Sequence, residues 1–233
     1  DPAGPPVVFL HGGPLSSKMW QPQLDGLTEL HCLAPDLPGH GANNPDEPFN
    51  LKEASRQVAE IIRDRTPEGR AAVVGLSLGG AVALTLLRED PQVVERAMLS
   101  GSAARLNRFT GQLSMMSSSA LRLVSAEKQA EMAMRQFGIP KVYQPLVQDD
   151  LIHGVSEAYS RSMVVALMSM DLPDRIACPL LVAVGERETI PARQSARKLL
   201  LMYPNASSVI VPRMNQLWNL QDPDLFNAAV RAW

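Results

Sequence analysis

Ala71-Ala72-Val73-Val74-Gly75-Leu76-Ser77-Leu78-Gly79-Gly80-Ala81-Val82-Ala83-Leu84 is the stretch that decides the fold. Its first five residues carry no polar side chain, the mark of a strand covered on both faces and hence of a parallel sheet. From Leu78 to Arg88 the chain is small and aliphatic, so a helix follows at once. Between strand and helix stands Ser77, flanked by Gly75 and Gly79 in the spacing G-x-S-x-G. A turn this sharp forces the serine into a strained backbone conformation, and side chains at the flanking positions would collide with the turn. The hydroxyl is thereby lifted clear of the sheet edge and set at a helix N-terminus, where developing negative charge is stabilised.

Working outward, the same rhythm recurs. Pro6 to Leu10 (PVVFL) is a valine-rich strand stopped by His11-Gly12-Gly13-Pro14, turn formers that a strand does not tolerate. Residues Trp20 to Leu30 read as a short helix. His31 to Ala34 reads as a brief strand, closed by Pro35-Asp36-Leu37-Pro38-Gly39-His40-Gly41. Apolar residues at 51, 54, 58, 61 and 62 predict a helix over Leu51–Ile62 with one buried face. Further strands are expected at Ala97–Ser100, Pro179–Val184 (ending at Gly185) and Ser208–Val211. Helices are expected at Ala192–Met202 and Asp224–Trp233, the latter with Asp224, after Pro223, as cap or first-turn acid. Strands alternating with helices give an α/β class with a mostly parallel sheet and right-handed crossovers.

Residues 104–175 break the alternation. They hold no strand pattern, are divided by Pro140 and Pro145, and collect Met115, Met116, Met132, Met134, Met163, Met168 and Met170. A loop of that length does not fit a compact domain, so the segment is expected to be a helical cap inserted into a core formed by 1–103 and 176–233. Its methionines read first as packing against the sheet domain. The alternative is an inner face lining an apolar substrate pocket, since methionine adapts to irregular shapes. The candidate pocket residues are Trp20, Met115, Met116 and Trp218.

Composition narrows the function classes. With 233 residues, 45% hydrophobic and 20% charged, the chain suits one globular domain with a sizeable core. Twenty-two basic against 24 acidic residues, with no basic run, argue against a nucleic-acid partner and leave a small-molecule substrate as the expected one. No segment is apolar enough for a membrane span, and the start shows no leader pattern, which points to the cytoplasm. The chain enters its first strand within a few residues of Asp1, as if upstream strands were missing. Cys32 and Cys178 stand in no metal-like or redox-like spacing and read as two free thiols, with a disulfide as the alternative.

The two glycine-bearing strand ends supply chemistry together. Ester hydrolysis passes through a tetrahedral oxyanion that needs two donors. The N–H of Leu78 is one candidate, and that of Gly13 the other, with Gly12 as its alternate; Pro14 has no N–H to offer.

Five landmarks in sequence order carry a resemblance: HGGP (11–14), APDLPGHG (34–41), GLSLGG (75–80), PLLVAVGERE (179–188) and WNLQDPDLFNAAVRAW (218–233). The chain resembles the α/β-hydrolase superfamily, in particular its cap-bearing branch of carboxylesterases, lactonases, epoxide hydrolases and menaquinone-pathway lyases. The resemblance implies the α/β-hydrolase fold, Ser77 as nucleophile, and hydrolysis without metal or organic cofactor. It also implies an acid after the late strand ending in Gly185, which falls on Glu188, with Glu186 as fallback, to hold an imidazole in its working tautomer.

The resemblance fails at one position. The loop before Leu217-Trp218-Asn219-Leu220 should carry the catalytic histidine, and there the sequence reads Gln216. An amide cannot take the serine proton at neutral pH. Of the four histidines, His11 belongs to the oxyanion loop, His31 to a strand start and His40 to PGHG, which leaves His153 in the cap as the one substitute to consider. Three readings follow: a serine hydrolase for a small apolar ester or lactone, impaired as written; a non-catalytic ligand-binding homologue; or a lyase or isomerase that holds an enolate in the oxyanion hole. Gln216 is either an introduced change that traps a ligand or a natural loss of hydrolysis.

Overall fold

The computed structural model describes residues 2–43, 48–102, 105–106 and 124–233. Six strands form one all-parallel sheet: β1 (Pro6–Leu10), β2 (His31–Leu33), β3 (Ala71–Leu76), β4 (Val94–Ser100), β5 (Leu180–Gly185) and β6 (Ser207–Val211). Their order is β2-β1-β3-β4-β5-β6. After β1 the chain steps outward to β2, then returns past β1 to β3. The topological switch therefore lies between β1 and β3, where open α/β sheets bind ligands at the C-terminal strand ends.

The patterning explains the layers. Every residue of β3 is buried. On one face Val8, Leu10, Val73, Leu99 and Val182 pack against α2 (Leu51–Arg65), α3 (Leu78–Glu89) and α7 (Ile190–Met202). On the other, Phe9, Val74 and Met98 pack with Met19, Trp20 and Leu27, which flank α1 (Gln21–Gly26), and with a short turn α8 (Trp218–Gln221) and α9 (Pro223–Ala232). The α2 helix begins where Asn50 Oδ1 accepts the amides of Lys52 and Glu53 at 2.9 and 3.2 Å, and its buried stripe is Leu51, Ala54, Val58 and Ile62.

One expectation shifts, and one pair of alternatives is resolved. The helix expected from Trp20 ends at Gly26 instead of Leu30, after a 3₁₀ turn over Ser17–Trp20, because Pro22 suits only the first turn of α1. Leu27 N–H then closes the helix on Gln23 O at 2.9 Å. The cap of α9 is Asp222, whose Oδ1 takes Leu225 N–H at 3.0 Å, while Asp224 is the first-turn acid. Proline at 223 supplies no amide, so the acceptor must sit one residue before it.

Helices α4 (Ala126–Gln136), α5 (Pro145–His153) and α6 (Glu157–Ser169) form the cap. They dock over the loops that follow β1 and β2. Asp150 of α5 accepts Ser16 N–H at 2.7 Å and Ser16 Oγ–H at 2.5 Å, and Tyr159 of α6 donates its hydroxyl proton to Pro38 O. Met134, Met163 and Met170 are buried between cap and sheet, as packing methionines should be, whereas Met132 is exposed. Met115 and Met116 lie outside the described residues.

Candidate functional site

The elbow has the strained geometry that its sequence requires. Ser77 adopts φ 53°, ψ −109°, a region that non-glycine residues rarely enter. Its amide donates to Ser100 O at 3.0 Å, and its carbonyl accepts from Gly80 and Ala81 at the start of α3. The glycines leave the room that this crossing needs. A Cβ on Gly75 would stand 2.5 Å from Gly79 O, one on Gly79 would strike Leu10 O, and one on Gly80 would strike Ser102 Oγ.

The loop after β1 meets this elbow. A Cβ on Gly12 would lie 3.4 Å from Ser77 Cβ, and one on Gly13 would lie 3.2 Å from Leu78 Cδ2, so the loop after β1 lies against the elbow. Neither the Gly13 nor the Leu78 amide has a hydrogen-bond acceptor among the described residues. Gly12 O is engaged by Leu15 N–H at 2.9 Å, which fixes the loop. The Gly13–Pro14 peptide is cis. The Sδ of Met163 would be 3.2 Å from a Cβ on Gly13, so a cap methionine and Leu78 form an apolar wall beside that amide.

Glu188 and Gln216 converge on Gly101. This residue, at φ +54°, follows β4, and a Cβ there would stand 2.9 Å from both Gln216 Cγ and Glu188 Oε2. Glu188 is 6% exposed. Its Oε1 accepts Gly185 N–H at 2.8 Å, while Oε2 has no partner among the described residues. Burial pushes its carboxyl up to about 7, against the lowering pull of the Gly185 amide. Gln216 does not bond it: Nε2 donates to Gly101 O at 3.1 Å. The fallback acid, Glu186, is exposed and accepts Arg213 N–H at 2.8 Å, which holds Arg213 at φ 63°.

None of the histidines is placed to replace the base. His11 is fully buried, with Nε2 accepting Leu37 N–H at 2.9 Å and Nδ1 against Gly12 O at 3.2 Å. His40 packs edge-on against it at 4.9 Å, and its Nδ1 meets Pro38 O at 2.9 Å. His31 starts β2, at the sheet edge. His153, the one candidate substitute, has a side chain 74% exposed and paired with Asp149 at 3.1 Å on the outer face of α5.

Two expected pocket residues are corrected. Trp20 and Trp218 are 0% and 1% exposed. Both pack on Phe226, with centroids 5.6 and 4.4 Å away, and Trp20 also meets Phe9 at 5.1 Å. Trp218 Nε1–H donates to Ser100 Oγ at 2.7 Å, a buried partner that explains how an indole sits at full depth. They are core residues. Sequence reading missed Gly101 and Asp150, and marked Met163 only as one of the cap methionines. A glycine immediately after β4 was a usable signal for the first, whereas nothing in the pattern of α5 marked Asp150.

A cleft of about 590 Å³ lies elsewhere, behind α6, walled by Phe49, Leu51, Arg88, Arg161, Val165 and Asp171 among others. It does not include Ser77. No group of three potential metal ligands occurs among the described residues, and none of their helices is long and apolar enough to cross a membrane. Cys32 and Cys178 are free thiols.

A family model described as the alpha/beta hydrolase family matches residues 7–229. An AB hydrolase superfamily protein of Gibberella zeae is 28% identical over 242 residues, covering 100% of this chain and 81% of the relative. A pimeloyl-[acyl-carrier protein] methyl ester esterase of Pectobacterium atrosepticum is 28% identical, covering 97% of this chain and 93% of its own length. Among solved structures, an esterase from Exiguobacterium antarcticum superposes with a TM-score of 0.84 at 17% identity, over 98% of this chain and 91% of that one. That last likeness concerns the fold.

Proposed function

The chain belongs to the alpha/beta hydrolase family, and from that premise we propose that it is a serine hydrolase of small, largely apolar carboxylic esters or lactones, slowed by Gln216. The observation that carries the reading is the Ser77 elbow at φ 53° with the Gly13 and Leu78 amides beside it. Ser77 Oγ attacks the ester carbonyl, and the oxyanion that forms is met by those two N–H groups. The C–O bond to the alcohol breaks as the Ser77 proton reaches the departing alkoxide by way of solvent, and the acyl-Ser77 left behind is hydrolysed by water. The Met163 and Leu78 wall beside Gly13 favours an apolar acyl group, in keeping with a methyl ester esterase among the relatives. Glu188, buried and with one oxygen unpartnered among the described residues, suits the role of acid toward an imidazole at 216.

The impairment follows from chemistry at 216. Gln216 presents an N–H to Gly101 O and has no basic atom for the serine proton. That same observation favours the second reading, a ligand-binding homologue that retains the elbow. The test is kcat/KM on p-nitrophenyl acetate for the chain, Q216H and Q216H/S77A. Q216H should gain at least ~10²-fold, and the added S77A should remove the gain. A well-folded Q216H with no gain, its imidazole bonded to Glu188 and Ser77, would put the binding reading ahead.

A further inference from the structure

The buried end of the site holds an acceptor for which the described residues provide no donor. Glu188 Oε1 is satisfied by Gly185 N–H, but Oε2 is bare at a side chain only 6% exposed. A buried carboxylate oxygen left unpaired is costly, and native structures rarely keep one without a use. The residue opposite, Gln216, turns its amide to Gly101 O instead. Gly101 carries no side chain, and Glu188 Oε2 and Gln216 Cγ close in on it, so room between Glu188 and the elbow is made only when Gln216 moves aside. The elbow backbone is next to this point, since Ser77 N–H bonds Ser100 O on the residue before Gly101. Gln216 is half-buried and held through its amide by one hydrogen bond among the described residues, so its side chain can swing aside at small cost.

We propose that the ligand supplies the missing base: a substrate or co-ligand with a neutral basic nitrogen and a second N–H, of the imidazole or amine class, enters between Ser77 and Glu188. This rests on the hydrolase reading and names the substrate class that the site takes. The ligand's N–H donates to Glu188 Oε2. As Ser77 Oγ bonds the acyl carbon, its proton passes to the ligand's free nitrogen, and the carbonyl pair moves onto oxygen at Gly13 and Leu78. When the tetrahedral species collapses, the protonated nitrogen returns that proton to the departing alkoxide. The products are acyl-Ser77, alcohol and the unchanged base, which then activates water to release the acid. The raised carboxyl of Glu188 is in keeping with a group awaiting a donor, because an N–H or cation brought beside it would lower it again.

Imidazole is the probe. Hydrolysis of p-nitrophenyl acetate is followed against imidazole concentration for the native chain, Q216G, Q216A, E188Q and S77A, with the rate in S77A subtracted as the solution reaction. Circular dichroism and thermal melting verify that each variant is folded, and Q216A stands in if Q216G is not. The Ser77-dependent rate should rise to a plateau with imidazole, by at least ~10-fold in Q216G and less in the native chain, within the range of general-base catalysis. E188Q should abolish the plateau. Saturation-transfer NMR should find imidazole bound in Q216G and released in Q216G/E188Q. A rate that stays linear in imidazole, or a plateau and binding that survive E188Q, overturns the proposal. If Q216H hydrolyses the ester while imidazole does nothing, this inference alone fails. If Q216H is inactive too, the hydrolase reading fails, and the NMR arm still decides whether Glu188 receives an N–H ligand.

Discussion

Single residues carry most of the site's geometry, and Gly101 shows how. Its φ of +54° places it where side chains are strained, and a methyl there would press on Gln216 and Glu188 at 2.9 Å each. G101A should therefore cost about 1–3 kcal/mol, lowering Tm by roughly 3–10 °C. It should also reduce any Q216H activity more than Tm alone explains, because it displaces acid and base together. Melting curves and kcat on the double variant check both. Glu188 gives a second outcome with a definite sign. Its folded-state carboxyl is raised from 4.5 to about 7. Between those values the unfolded chain ionises while the folded chain resists, so its contribution to stability is present below pH 4.5 and lost as pH rises through 7. E188Q should accordingly melt higher than the native chain at pH 8, and the gap should close toward pH 4.5. A constant gap in melts at pH 4.5, 6 and 8 would count against burial as the cause. At this scale the sequence was half legible. G-x-S-x-G identified Ser77 and its glycines because local sterics decide them, but which of two glutamates turns inward depends on loop packing. Here the exposed Arg213 amide ties down Glu186 and leaves Glu188 inside.

At the scale of elements, Asp150 ties the cap to the loop after β1. Asp150 is 6% exposed, and its Oδ2 accepts both the amide and the hydroxyl of Ser16, three residues beyond Gly13. From the core side, Asp36 Oδ1 accepts Ser17 N–H at 2.7 Å, so the loop is gripped on both flanks. D150A leaves two partly buried donors unpaired and should cost about 1–3 kcal/mol. It should also raise amide exchange at residues 15–18 well before global unfolding, because α5 no longer pins the loop. Hydrogen–deuterium exchange with unchanged protection there would show that packing of Met163 and Tyr159 suffices. The central strands were legible because short apolar runs bounded by glycine and proline suit a strand covered on both faces of a parallel sheet. Element ends were not. Trp20 and Trp218 looked like pocket aromatics, yet a large ring near a landmark motif is as well suited to the core, and Ser100 Oγ supplies the partner that lets Trp218 stay there.

Across the whole molecule, three buried groups, the His11–His40 pair and Glu188, pull the acid response of stability in opposite directions. His11 is held down to about 3, first by burial and then by His40 beside it, with Gly12 O and Asp36 pulling weakly the other way. His40 is also lowered, by its own burial, against the raising effects of Pro38, Leu37, Asp150 and Asp36. Both imidazoles are neutral in the folded chain. Once pH falls below about 6.5 the unfolded chain binds protons that the folded one refuses, so their contribution is intact above 6.5 and is lost as pH falls toward 3. Glu188 moves the other way between 7 and 4.5, since acid removes the penalty for its burial. One pKa unit corresponds to about 1.4 kcal/mol, so over pH 7 to 4.5 the two effects are comparable and offset each other. The native chain should therefore show a shallow dependence of its urea midpoint on pH in that window. E188Q unmasks the histidines, and its midpoint should fall steadily from pH 7 to 4.5. H11N removes the larger histidine contribution, and where it folds its midpoint should rise over the same range; H40N, farther from the oxyanion glycines, serves where H11N does not fold. Urea titrations of these variants at pH 7, 6, 5 and 4.5 separate the groups. An E188Q midpoint that stays flat would mean that the buried histidine pair takes up protons without opening the fold, and the neutral pair beneath the oxyanion loop would lose its role in setting acid stability.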